Sequence, residues 1–319
     1  MGKRGILICF LFLIFIGNFV SFVNAQIPPV LNFQDIESGP ESGNSDSYGN
    51  GAIVTVWGSN LGSFQGNSSQ IYFKDSQGTP RQAGHVYYWK NADGQLPGGP
   101  ANLYESHRMQ EIAFSIPSGS AIGLGQIYVN VNGVDSTTLP FTVRSGNIYF
   151  VKTTGSDTTG NGSWSKPYKT FYRLTYQSSS NIIAGDTVYG VGNFTEVNGN
   201  DGLAIRESYD GTLAMPISVI VYPNSTVMLY ATRYGIKNWN GADFWNFAKF
   251  DVLSNAGGIE SFKEGRIVGN SITDRELDLG PTYGCATGAG GAIAGARRTN
   301  GNMGPSGAKV FGNYIHDFG

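Results

Sequence analysis

The most constraining feature of this chain is a short stretch that occurs twice. Arg266-Ile-Val-Gly-Asn-Ser-Ile-Thr-Asp274 is echoed by Lys309-Val-Phe-Gly-Asn-Tyr-Ile-His-Asp317, with Gly269 and Gly312 separated by 43 residues. Each copy sets an apolar residue (Ile267 or Val310) before Gly-Asn and another (Ile272 or Ile315) after it. Self-similarity at a period of ~20 to 50 residues marks stacked architectures, in which each repeat buries its apolar face only against its neighbours. Glycine permits a sharp bend there, and asparagine offers an amide to the adjacent layer. The spacing predicts about two layers of the stack between the copies rather than one.

An entrance to such a stack precedes the repeats. Asn147 to Glu196 opens with the apolar run Ile148-Tyr-Phe-Val151 and passes through Thr153-Thr-Gly-Ser-Asp-Thr-Thr-Gly-Asn-Gly-Ser163 and Trp164-Ser-Lys-Pro-Tyr-Lys-Thr170. It closes with Ala184-Gly-Asp-Thr-Val-Tyr189. β-Branched and aromatic runs bounded by turn residues read as strands. Pro167 is placed to start a helix, because its missing N–H costs nothing at the first helical position, and Tyr168, Phe171, Tyr172 and Thr175 share one helical face. The order expected is strand, loop, short amphipathic helix, strand.

This order of Tyr-Phe-Val, Gly-Ser-Asp, Gly-Asn-Gly-Ser, Lys-Pro-Tyr-Lys-Thr and Ala-Gly-Asp-Thr-Val-Tyr resembles the entrance of a right-handed parallel β-helix of the pectate-lyase-like, polysaccharide-lyase-like kind. Gly211-Thr-Leu-Ala-Met-Pro-Ile-Ser-Val-Ile-Val-Tyr-Pro223 is similar to the second coil of the same family. The resemblance implies a helix laid across the first coil, where it covers an exposed core and an unpaired strand edge. It also implies that Asn270 and Asn313 stack as a structural ladder, and that any active site lies in a groove along the outside of the coils.

Residues 27–146 have a different rhythm. Short alternating runs are expected as strands at Ala52–Trp57, Gln70–Lys74, His85–Trp89, Glu111–Ile116, Gln126–Val131 and Pro140–Val143, and Asn132-Gly133 is a tight-hairpin signal. That pattern predicts a β-sandwich. The order Gly49-Asn-Gly-Ala-Ile-Val-Thr-Val-Trp-Gly-Ser-Asn-Leu-Gly62, Ile116-Pro-Ser-Gly, Gly125-Gln-Ile-Tyr-Val-Asn-Val-Asn-Gly-Val-Asp-Ser136 and Phe141-Thr-Val143 resembles the IPT/TIG immunoglobulin-like domain. The insertion from Lys90 to Arg108 departs from that pattern and is expected as a variable surface loop. The resemblance leaves open whether this segment is a spacer or a binding module.

The first 25 residues carry Lys3 and Arg4, an apolar run from Ile6 to Ile16, and Val23-Asn-Ala25 before Gln26. This is the pattern of a secretory signal peptide cleaved after Ala25, and no later stretch has the ~20 apolar residues of a spanning helix. The expected organisation is therefore residues 1–25 signal peptide, 27–146 sandwich and 147–319 parallel β-helix, secreted or at the cell surface. The stack stops at Gly319 without a terminal cap, so the β-helix is expected to be truncated. Net charge is −2 and becomes more acidic once Lys3 and Arg4 leave, which disfavours nucleic acid as a partner. Cys285 is then alone and reads as a small buried residue, with no intrachain disulfide and no indication of an oligomer. Asn67, Asn161, Asn193 and Asn224 stand in glycosylation sequons, to be used only by a source that glycosylates.

No nucleophile elbow, zincin helix or P-loop is present, and the three histidines His85, His107 and His316 are scattered, so a Ser-His-Asp triad would need long-range assembly. Asp274-Arg-Glu-Leu-Asp278 offers Asp274, Glu276 and Asp278 as oxygen ligands for calcium, although it lacks the glycine turn of an EF-hand. Arg297 and Arg298 offer cations for a uronate, and His316 offers an acid or base. Trp239 and Trp245, with Phe244 and Phe247, offer faces for sugar rings. The same residues have plainer readings, as a solvated loop and as buried aromatics of the coil. The reading is an all-β secreted protein that cleaves or binds an extracellular acidic polysaccharide, as a polysaccharide lyase or a glycoside hydrolase. The alternative is a non-catalytic surface or adhesion protein that uses the solenoid as a rod.

Overall fold

The computed structural model describes residues 27–175, 182–197, 199–205, 210–239, 241–255, 257–260, 262–274, 292–294 and 307–317. Residues 1–25, expected as a signal peptide, and Cys285 lie outside the described residues.

The front of the chain forms two sheets. Strands Val30–Gln34, Ile53–Ser59, Gln110–Ser115 and His85–Asn91 pair antiparallel in that order as an inner sheet. The outer sheet runs Ser38–Gly39, Leu139–Val143, Gly123–Val131, Ser69–Lys74, Pro80–Gln82, with Val134–Asp135 folded back on Gly123–Val131. The hairpin between those last two turns on Asn132 (φ 50°) and Gly133 (φ 86°), the left-handed pair that the Asn-Gly signal requires. Val54, Val56, Ile71, Phe73, Ile112, Phe114, Ile127, Val129 and Phe141 fill the space between the sheets with no exposure.

From Ile148 onward every strand pairing is parallel. One sheet runs Ile148–Val151, Thr187–Gly190, Ile217–Val221, Trp245–Ala248, Arg266–Val268, Lys309–Phe311. A second runs Asn193–Glu196, Thr226–Tyr230, Asp251–Ser254, Ser271–Asp274, Tyr314–His316, and a third Leu203–Ile205, Tyr234–Asn238, Gly257–Glu260, Ile293–Ala294. From Thr187 the chain visits the three sheets in rotation, so each circuit is one coil laid on the last. Alternation sorts the side chains: Val188, Val219, Phe247 and Ile267 stack inward in register, while Tyr189, Ile220, Ala248 and Val268 stack outward.

Arg266 pairs directly with Lys309, so the 43 residues between the two repeats make one coil and not the two expected. Coil length is elastic here: Ser218 and Asn246 are neighbours 28 residues apart, and Phe250 and Asn270 are neighbours 20 apart. Only the short strands must stay in register, and connections between them can lengthen at little thermodynamic cost. The expected asparagine ladder is present. Asn270 Nδ2 donates to Asn313 Oδ1 at 2.9 Å, and Asn270 Oδ1 accepts the Phe250 amide at 2.9 Å.

The helix expected from Pro167 is shorter and later, Tyr172–Thr175. Tyr168 instead holds an extended backbone, exchanging hydrogen bonds with Phe150 at 3.0 Å and Lys152 at 2.8 Å. Backbone pairing to the first strand outweighs helical propensity at that position. Phe171 and Leu174 are still buried in the coil interior.

The inner front sheet lies along the first parallel sheet. Ile53–Ser59 and Gln110–Ser115 are buried almost throughout, as strands covered on both faces must be. Phe33 stacks on Trp57 at 5.0 Å and on Phe311 at 5.9 Å. Gly312, at φ 60°, passes so close that a Cβ would stand 2.7 Å from Phe33 Cζ. Polar groups tie the same junction. Arg266 donates to the Gln34 carbonyl at 2.6 Å and the Asp35 carbonyl at 3.2 Å, and pairs with Glu37 at 2.5 Å. Arg144 reaches the Pro216 carbonyl at 2.9 Å and the Gly185 carbonyl. Asp46 accepts from both Tyr87, at 2.5 Å, and Tyr222, at 2.9 Å.

The insertion expected as a surface loop also belongs to this junction. Ala92, Ala101 and Leu103 are buried, Asn102 caps the helix Leu103–His107, and Gly99 backs onto Lys249 and Gly269. Lys249 is buried at the junction with φ 68°, and its Nζ donates to Thr55 Oγ1 at 3.0 Å. Asp35 and Glu111 are the carboxyls that face it; burial lowers the Lys249 ammonium and pushes the Glu111 carboxyl up to about 8.

Candidate functional site

The outward side of the third parallel sheet brings together chemistry that no single stretch of sequence displays. In Tyr234–Asn238, Ile236 points into the core and Lys237 the other way. Lys237 forms an ion pair with Glu260 of the next coil, 23 residues on, and Glu260 Oε2 accepts the Asn238 amide at 3.0 Å. The Lys237 ammonium lies 3.8 Å from the Tyr234 ring centre and 5.4 Å from that of Trp239. The Arg233 guanidinium is 5.3 Å from the Trp239 ring. Cations held against aromatic faces in this way are attracted by the ring quadrupole.

Trp239 is the open member of the group, 38 % exposed, and its Nε1 donates to Asp201 Oδ2 at 3.1 Å. Asp201 is buried, and its other oxygen has no hydrogen-bond partner among the described residues. Burial pushes the Asp201 carboxyl up, against the lowering effects of the Trp239 N–H, Arg233 and Lys237. The indole face beside the Arg233 guanidinium is suited to a ring that carries a carboxylate.

His316 sits elsewhere, on the outward side of the second sheet. Its Nε2 is 2.8 Å from Thr273 Oγ1 and 3.2 Å from Ser271 Oγ, and its Nδ1 is 2.8 Å from Asp317 Oδ2. Register across neighbouring coils thus assembles a hydroxyl, an imidazole and a carboxylate from scattered residues. Tyr314 stacks on the ring at 4.5 Å. Asp251 shares this face, its carboxyl raised by burial against the lowering charge of His316.

Of the residues expected to meet a sugar, Trp239 remains open and His316 is partly open. Trp245 is corrected to a core residue: it has no exposure, packs against Phe247 and Phe262, and has no face to offer a ligand. Arg297, Arg298, Glu276 and Asp278 lie outside the described residues, and Asp274 closes the strand Ser271–Asp274. Among the described residues no group of three or more His, Cys, Asp or Glu could hold a metal ion. The four sequon asparagines, Asn67, Asn161, Asn193 and Asn224, are all exposed. Asp201, Arg233, Tyr234, Lys237 and Glu260 were not legible as a set, because coil lengths vary and only register makes them neighbours. The alternation of Tyr234, Ile236 and Asn238 with Lys237 was the available signal.

Compared with known proteins, the chain matches no family model and no curated protein. Among the described residues, no helix is long and apolar enough to cross a membrane.

Proposed function

We propose that this chain is an exported carbohydrate-active protein, an IPT/TIG-like sandwich joined to a right-handed parallel β-helix, that engages an extracellular acidic polysaccharide on the outside of its coils. The observation that carries this reading is the open Trp239 indole with Arg233 beside it and the buried Asp201 carboxyl bonded to its N–H. The indole takes the C–H face of a sugar ring, and Arg233 takes the uronate carboxylate, with a fork geometry that matches it. Asp201 holds the indole in place through its N–H. Lys237, the basic side chain that a lyase would need at this place, is committed to Glu260. Binding is therefore favoured ahead of eliminative cleavage.

The test is to incubate the purified full chain with polygalacturonate and alginate. Retention is followed by affinity electrophoresis, unsaturated-uronate absorbance reports elimination, and new reducing ends report hydrolysis. Retention that falls at least tenfold in Trp239→Ala and Arg233→Gln supports the reading. Absence of both retention and product on any acidic polymer overturns it and leaves the rod-like surface protein.

A further inference from the structure

The outer sheet of the sandwich faces away from the coils, and one strip of it is built unlike an ordinary solvated surface. Three cross-strand pairs of Ser69–Lys74 and Gly123–Val131 follow one another on its outward side: Gln70 with Asn130, Tyr72 with Tyr128, and Lys74 with Gln126. At ~3.4 Å per residue the strip is about 14 Å long. The two tyrosine rings are parallel within 13° with centres 5.1 Å apart. That separation exceeds face-to-face contact, so the rings are offset and each leaves part of a face uncovered. Neither phenol hydroxyl has a hydrogen-bond partner among the described residues, and Gln82 and Gln65 both donate to Gln70 Oε1, which fixes the amide edge of the strip.

At the Lys74 end the strip opens into a cavity of about 290 Å³ lined by Lys74, Asp75, Leu124, Gln126 and Pro140 among others. The Asp75 carboxylate is already used, accepting the Gln77 and Thr79 amides at 3.1 Å and pairing with Arg81 at 3.2 Å. Lys74 forms no ion pair among the described residues and is exposed, so the charge that this end offers a ligand is positive.

We propose that this strip is a second polysaccharide-binding surface, taking a chain of pyranose units with a carboxylate-bearing unit at the Lys74 end. Paired aromatic faces receive the C–H faces of successive rings, and the phenols receive their hydroxyls. A polyanion of high charge density would find a single cation here. The proposal shares its ligand class with the coil-site reading but uses none of its residues.

The test uses the full chain in affinity electrophoresis against polygalacturonate, alginate and a neutral glucan. The variants are Tyr72→Ala/Tyr128→Ala, Lys74→Gln and Trp239→Ala, each with its thermal transition recorded. The expected result is at least a tenfold loss of affinity in the double tyrosine variant with an unchanged transition. Lys74→Gln should lose affinity about threefold for the acidic polymers alone. Tyrosine variants that fold and bind as the unsubstituted chain does overturn the proposal, as does sedimentation showing that those variants convert a dimer to a monomer. Loss in Trp239→Ala alone leaves the coil site standing and this one refuted. Loss in the tyrosine variant alone does the reverse.

Discussion

The phenol oxygen of Tyr189 accepts the amide of Ile53 at 2.7 Å and donates to the carbonyl of the same residue at 3.0 Å. One side chain of the coils thus does for the end of a front strand what a neighbouring strand would do, across 136 residues of sequence. Both groups are buried, and water cannot replace the phenol. The front sandwich and the coils are joined here by backbone hydrogen bonding as well as by apolar contact.

Tyr189→Phe should be strongly destabilising, although it changes one atom. It leaves a buried N–H and a buried C=O unsatisfied, at ~1 to 3 kcal/mol each. The expected loss is about 2 to 6 kcal/mol in urea unfolding, with one cooperative transition in the unsubstituted chain because the two parts share a core cluster. Two resolved transitions in the unsubstituted chain would show that the junction does not couple them.

Stability should fall as pH rises above the ordinary carboxyl range. Burial holds Glu111 at about 8 and Glu196 at about 7, against an unfolded value of 4.5. Between those values the folded chain binds more protons than the unfolded one, so the slope of stability with pH is negative, at most about 1.4 kcal/mol per unit for each group. Glu111→Gln should flatten the slope and raise the midpoint of unfolding at pH 9. An unchanged slope in thermal melts from pH 5 to 9 would refute the assignment.

The opposite sign holds for Asp46. Burial acts to raise its carboxyl, but hydrogen bonds from Tyr87, Tyr48, Tyr222 and Gly49 outweigh burial and leave it below the ordinary 3.8. Its contribution is present above that value and is lost as pH falls through the folded value. Asp46→Asn should therefore cost stability at pH 6 and narrow the gap to the unsubstituted chain under acid, as read by urea midpoints at the two pH values.

Asn270→Ala should cost about 2 to 4 kcal/mol, well beyond what loss of side-chain volume explains. The amide accepts the Phe250 N–H and donates to Asn313 and to the Phe247 carbonyl, all in a buried bend. Asn270→Asp keeps the acceptor but loses the donor, and it should fall between the two. A cost below 0.5 kcal/mol for Asn270→Ala by urea unfolding would make the ladder incidental.

Lys249 shows why part of the chain was hard to read. In the register of the coils it occupies the bend where the next two layers have Gly269 and Gly312, and all three have positive φ. Asn246-Phe-Ala-Lys-Phe-Asp-Val-Leu-Ser254 is therefore a third copy of the repeat, hidden because Lys-Phe replaces Gly-Asn. Nothing in a composition or a spacing reveals it. Lys249 is tolerated because Asp35, Glu111 and Thr55 of the front sheet meet it.

Local order was legible from the residues alone: strands at Ile53, Gln70, His85, Glu111 and Gln126, the Asn132-Gly133 hairpin, the bends at Gly269 and Gly312, and the stacked character of the second half. These follow from β-branched alternation and from the φ angles that particular residues allow, which are properties of a few neighbours along the chain. Tertiary structure decided the rest. It made 43 residues one coil, turned Pro167 away from a helix, buried Trp245, and laid the sandwich along the first parallel sheet. It also gathered Asp201, Arg233, Lys237 and Glu260 around Trp239. Such outcomes depend on which strands come to lie in register and which faces cover each other, and free energies of that kind belong to residues far apart in the chain.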